Sequence, residues 1–168
     1  MSPTTQAQTL LQELAKDCEK AMQLVDILFD EQASLLKMHT DRLGELAVQK
    51  ESMMFELEKR FKEHLGQAVK AGQPDTLAGL ETWIDKLTIH APTLASTFET
   101  LRSSLEQAKR LNKTNGELVS EQLASLKDRI AILTAASIES GNAKPADTYG
   151  PKGGLGNSAG SKPRAVIR

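Results

Sequence analysis

Across residues 5–37 apolar side chains recur at alternating spacings of three and four, and no glycine or proline interrupts them. Leu11, Leu14, Cys18, Ala21, Val25, Leu28, Gln32 and Leu35 form the row, and Leu10, Met22, Phe29 and Leu36 widen it. Only a helix of 3.6 residues per turn brings such positions onto one face, because a strand would alternate at every second residue. A helix of that length runs roughly 45 Å at 1.5 Å per residue. Its stripe must be covered by other long helices. The pattern therefore predicts an all-α fold, an elongated antiparallel helical bundle or hairpin of long helices.

The remainder supplies the partners. Thr40 and Asp41 carry side-chain oxygens that suit an N-cap, and a second helix is expected over about 41–71. Its stripe runs through Leu43, Leu46, Ala47, Met53, Met54, Leu57, Phe61, Leu65 and Ala68 up to Gly72-Gln73-Pro74. A short join at 38–40 makes the first two helices an antiparallel hairpin. No strong breaker stands at that join, so one continuous helix over 5–70 is the alternative. Asp75 or Thr76 caps a short third helix over 76–88, with Leu77, Leu80, Trp83, Ile84 and Leu87 inward, and His90-Ala91-Pro92 ends it. The last helix is expected over about 93–137. Its stripe reads Leu94, Phe98, Leu101, Leu105, Ala108, Asn112, Asn115, Val119, Gln122 and Leu126, with Leu111, Leu118, Leu123, Ile130 and Leu133 beside it. Residues 1–138 thus read as one helical domain. Residues 139–168, rich in Gly, Ser and Pro, read as a flexible, disordered tail, since they offer little apolar surface to offset ordering.

Several function classes are excluded on charge and residue type. The net charge is −1, whereas a nucleic-acid binder normally carries a basic excess. From Glu139 onward five basic residues stand against two acidic ones, which leaves the tail at +3 and the rest at −4. The single cysteine, Cys18, permits no intramolecular disulfide. On the apolar row it reads as a small buried hydrophobe rather than a nucleophile. His39, His64 and His90 are scattered without ligand spacing, and each reads as an ordinary surface or edge residue. No Glu-x-x-His or Cys-x-x-Cys pair is present to hold a metal, and the Gly-rich tail lacks the order of a phosphate loop. Nothing assembles an acid, a base and a nucleophile. The expectation is no enzyme, no cofactor, no metal and no small-molecule substrate. No apolar run approaches the roughly 20 residues that span a bilayer, and the N-terminus has no signal-peptide pattern. A soluble cytoplasmic protein without membrane insertion is expected.

One stretch resists a purely structural account. Leu111-Asn112-Lys113-Thr114-Asn115-Gly116-Glu117-Leu118 places two asparagines and a glycine on the stripe of the last helix. An unpaired amide in a seam costs about 1–3 kcal/mol, so both asparagines need partners. Either they bond across the bundle and fix its register, as a buried Asn does in coiled coils, or this part of the helix is open to a guest. In the second case Gly116 lets a foreign backbone approach, the amides orient it, and Leu111, Leu118, Val119, Leu123 and Leu126 anchor it. A second oddity is Tyr149, an aromatic in a tail that has no core to offer it.

These features together resemble the FlgN family of flagellar export chaperones. Three runs carry the likeness: Leu111-Asn112-x-x-Asn115-Gly116-x-Leu118; Leu46, Lys50, Glu51 and Met54 at the start of the second helix; and Tyr149-Gly150-Pro151-x-Gly153 in the tail. Thr148 departs from it, standing where many members carry an apolar residue. The resemblance implies a non-enzymatic cytoplasmic chaperone of the type III export system. Such a protein binds hook-associated junction proteins through its last helix, prevents their premature assembly and delivers them to the export gate. It also implies that Tyr149 and Gly150 take part in docking to that gate component. The competing expectation is a structural, self-associating coiled-coil protein without an export client.

Overall fold

Four helices and no strand make up the described residues, 2–139, of the computed structural model: α1 (Pro3–Leu36), α2 (Thr40–Lys70), α3 (Leu77–Thr88) and α4 (Leu94–Glu139). The all-α class predicted by the spacing is what the chain adopts. The chain divides into two units at the Leu123–Ala124 junction. The first holds α1, α2, α3 and α4 as far as Leu123. In the second, the described part is the remainder of α4.

The helix ends have local causes. Ser2 caps α1: its hydroxyl accepts from Thr5 N at 3.2 Å, and Pro3 sits at the first helical position, where its missing N–H costs nothing. At α2 the expected cap is not used. His39 is the cap residue and makes no side-chain bond, while Thr40 and Asp41 already lie inside the helix. Thr76 caps α3 by accepting from Gly79 N at 3.1 Å.

The C-termini of α1 and α2 share one solution. At α1, Met38 N donates to Leu35 O and His39 N to Ser34 O. At α2, Gly72 N donates to Val69 O and Gln73 N to Ala68 O. Both are Schellman motifs, in which the residue after the cap takes a left-handed conformation. Gly72 does so at φ 81° and Met38 at φ 55°. The join between α1 and α2 is thus a true break, and the continuous helix over 5–70 is not formed.

Cross-helix pairs within the first unit fix its directions. Moving up α2, Lys50 meets Glu31, Glu56 meets Lys20, Arg60 meets Asp17 and Gln67 meets Glu13. The α1 partner number falls as the α2 number rises, so the two are antiparallel. Against α4 the numbers rise together: Cys18 Sγ donates to Thr97 O, Asn115 to Leu28 O and Gln122 to Leu35 O. There α1 and α4 run parallel.

The main core gathers where α3 closes one end of the bundle. Leu10 and Leu14 of α1, Ala68 of α2, Leu80, Trp83, Ile84 and Leu87 of α3, and Leu94 and Leu101 of α4 are buried together. Each fully buried Leu or Ile of this group contributes roughly 1.5–3 kcal/mol. A smaller cluster of Leu24, Val25, Leu28, Leu57 and Ala108 lies further along α1.

Candidate partner-binding site

The seam of α1 is not wholly apolar. Its most buried row reads Ala7, Leu10, Leu14, Asp17, Ala21, Leu24, Leu28, Glu31 and Leu35. It shares Leu14, Ala21, Leu28 and Leu35 with the row that the sequence emphasised and lies one residue earlier at the positions between them. Two carboxylates therefore sit in the interior, two heptads apart. Buried charges persist only when paired and hydrogen-bonded, and here both are.

Asp17 is 2% exposed. One carboxylate oxygen accepts from Arg60 Nε, and the other lies 2.7 Å from His64 Nε2. Arg60 also donates to Glu13 O at 3.2 Å. Burial alone would raise the Asp17 pKa, but the hydrogen bonds and charges of His64 and Arg60 outweigh it and hold the carboxyl below its ordinary value. His64, read from sequence as a surface or edge residue, is 4% exposed. That reading is corrected: α2 turns His64 inward because Asp17 supplies a partner there. Burial, followed by the neighbouring Asp17 charge, pushes the Cys18 thiol up. This disfavours the thiolate that a nucleophile requires.

Glu31 joins three helices. It accepts from Lys50 Nζ of α2 at 2.6 Å and from Asn115 Nδ2 of α4 at 2.8 Å. Asn115 Nδ2 also donates to Leu28 O at 2.9 Å, while its buried Oδ1 has no partner. Gln122 Nε2 donates to Leu35 O at 2.7 Å, at the C-terminal end of α1. Glu31, Asn115 and Gln122 thus set the register of α1 against α4 by polar contacts.

The sequence-predicted residues separate by position on α4. Asn115 is buried within the bundle, and Leu111 is half-buried against the smaller core cluster. Asn112 is exposed, and its side chain makes no hydrogen bond to any described residue. Gly116 is exposed, and a Cβ built on it would meet nothing within 4 Å. Leu118 is half-buried, whereas Val119 and Leu123 are 40% and 53% exposed. In the second unit Leu126 is 53% exposed. Tyr149 and Gly150 lie outside the described residues.

Sequence reasoning missed the set Asp17, Glu31, Lys50, Arg60 and His64. The available signal was the three-four row taken through Leu10, Leu14, Asp17, Ala21, Leu24, Leu28, Glu31 and Leu35, in which only Asp17 and Glu31 are charged. Among the described residues no group of three or more His, Cys, Asp or Glu is arranged to hold a metal ion. No helix there is long and apolar enough to cross a membrane. Half-exposed aliphatic side chains on one helix, flanked by amides, suit the docking of another polypeptide rather than bond-making chemistry.

Compared with known protein families, the chain matches the model described as FlgN protein over residues 1–157. No curated protein and no solved structure matches it.

Proposed function

The chain belongs to the FlgN family, and on that premise we propose that it is a cytoplasmic chaperone of the flagellar type III export system. It holds hook-associated junction proteins, prevents their premature assembly and delivers them to the export gate. Leu111, Asn112, Asn115, Gly116, Leu118, Val119, Leu123 and Leu126 form the client-binding face, Asn115 by turning from its bundle partners to the client on loading, and Tyr149 and Gly150 dock to the gate component.

The observation that supports the client face is the exposure of large aliphatic groups on α4. Val119, Leu123 and Leu126 remain 40%, 53% and 53% exposed although they continue the spacing that buries Leu101 and Ala108. Single exposed leucines are ordinary on any surface, but several at helical spacing mark a partner site. Junction subunits polymerise through amphipathic ends, and such an end is covered by an apolar helical face with a few polar pins. A tail bearing a gate-docking tyrosine raises the local concentration of loaded chaperone at the gate.

Co-purification with a hook-associated junction protein tests the face. Val119→Glu and Leu118→Glu are expected to abolish the complex while helical circular dichroism stays unchanged. Normal complex formation by both variants overturns the assignment. A stable homodimer centred on Asn112 and Asn115, with no client bound, would instead favour self-association. Tyr149→Ala is expected to leave client binding intact and to reduce secretion, and unaltered secretion and motility would remove the tail from the mechanism.

A further inference from the structure

A groove of about 680 Å³ lies between α2 and α4 in the first unit. Leu24 and Leu28 of α1 form its floor, and Leu105 contributes from α4. On α2 the lining residues Met54, Phe55 and Phe61 are 47%, 71% and 37% exposed. Glu51, Met54, Phe55, Glu58 and Phe61 share one face of α2, since their spacing follows the helical repeat. That face is about 15 Å long at 1.5 Å per residue. Two phenylalanines and a methionine held in water beside an open groove are costly to leave uncovered.

Charge on the rims identifies what covers them. Lys50 is held by Glu31 at 2.6 Å, and Glu58 is paired with Lys62 at 2.6 Å. Two rim charges then stand without an ion partner among the described residues: Glu51 on α2 and Lys109 on α4, both exposed. The groove is thus apolar at its centre, acidic on one side and basic on the other.

We propose that this groove seats an amphipathic helix of a partner protein, about three turns long, with large aliphatic residues facing inward, a basic flank beside Glu51 and an acidic flank beside Lys109. The site adjoins the client face on α4, since Asn112 lines the groove, but it takes none of that face's aliphatic residues. Such a guest occupies the position of a fourth long helix in the bundle, where ridges and grooves interlock. Turning the guest end for end would exchange its flanks, so the two rim charges also select one direction of entry.

Three synthetic helical peptides with the same leucine face test this with the full-length protein by fluorescence anisotropy. One carries a lysine flank and a glutamate flank, one two glutamate flanks and one two lysine flanks. The mixed peptide is expected to bind about fivefold tighter than either uniform peptide, the scale of exposed charge pairs. Phe55→Ser, at a side chain too exposed to support the fold, is expected to weaken all three about tenfold. Glu51→Lys is expected to move the preference to the peptide with two glutamate flanks. Val119→Glu is expected to leave the binding unchanged. Equal affinity of the three peptides, indifference to Phe55→Ser, or loss of binding in Val119→Glu overturns the proposal. So does a dimer in sedimentation that Phe55→Ser dissolves, since a second copy would then own the groove.

Discussion

Asp17 shows how one carboxylate sets both packing and acid sensitivity. It occupies a seam position that leucine or alanine fills elsewhere on α1, and Arg60 and His64 of α2 both converge on it. Removing its charge leaves Arg60 and His64 facing an amide, and breaking a buried pair in this way costs about 3 kcal/mol. Asp17→Asn is therefore expected to lower unfolding free energy by that amount at pH 7 in a urea titration. The pH dependence has a definite sign. The folded pKa of Asp17 lies below its ordinary value, so the folded state binds the proton less readily than the unfolded chain. The resulting stabilisation is fully present above the unfolded value, near pH 4, and is lost as pH falls through the folded value. The gap between wild type and Asp17→Asn is expected to close progressively below pH 4. A gap that stays constant down to pH 2 would show that Asp17 contributes through shape alone.

At the scale of elements, the first two of the three joins use one motif with different residues. Gly72 adopts φ 81° without strain, but Met38 adopts φ 55° with a Cβ in the way. The left-handed conformation costs a non-glycine residue about 1–2 kcal/mol. Met38→Gly keeps both Schellman bonds and is expected to raise stability by about 1 kcal/mol, with glycine's extra unfolded-state entropy limiting the gain. A loss of stability would mean that the Met38 side chain, 66% exposed, contributes packing. The same residue explains what was legible in the sequence. The three-four spacing was sufficient for four helices because 3.6 residues per turn has no competing reading over such lengths. The break after α1 was ambiguous because methionine, unlike Gly72, carries no turn signal. The buried acids were missed because charge is ordinarily read as solvated surface, and nothing local to Asp17 reveals that Arg60 and His64 arrive from the next helix. Of the candidate face, the two asparagines were recognisable as an interruption. Their fates diverge because Asn115 meets Glu31 and Leu28 O, while Asn112, one turn earlier, faces outward.

For the molecule as a whole, the proposed client face would set folding against binding at Gly116. It lies within α4, exposed, and a Cβ there would touch nothing within 4 Å. Glycine inside a helix costs about 1 kcal/mol relative to alanine, and neither a turn nor a crowded neighbour in the bundle requires it. Gly116→Ala is accordingly expected to stabilise the free protein by about 0.5–1 kcal/mol in urea unfolding. If a guest backbone approaches α4 at this point, the added methyl stands in its path. The affinity for a hook-associated junction protein, read by titration, is then expected to fall even as stability rises. Opposite signs in the two measurements are what a residue kept for binding produces, because the stability forgone in the free state is recovered only when the partner is bound. Equal or tighter client binding by Gly116→Ala would place the guest elsewhere on α4, and the client face would then rest on its aliphatic residues, Leu118, Val119, Leu123 and Leu126 among them.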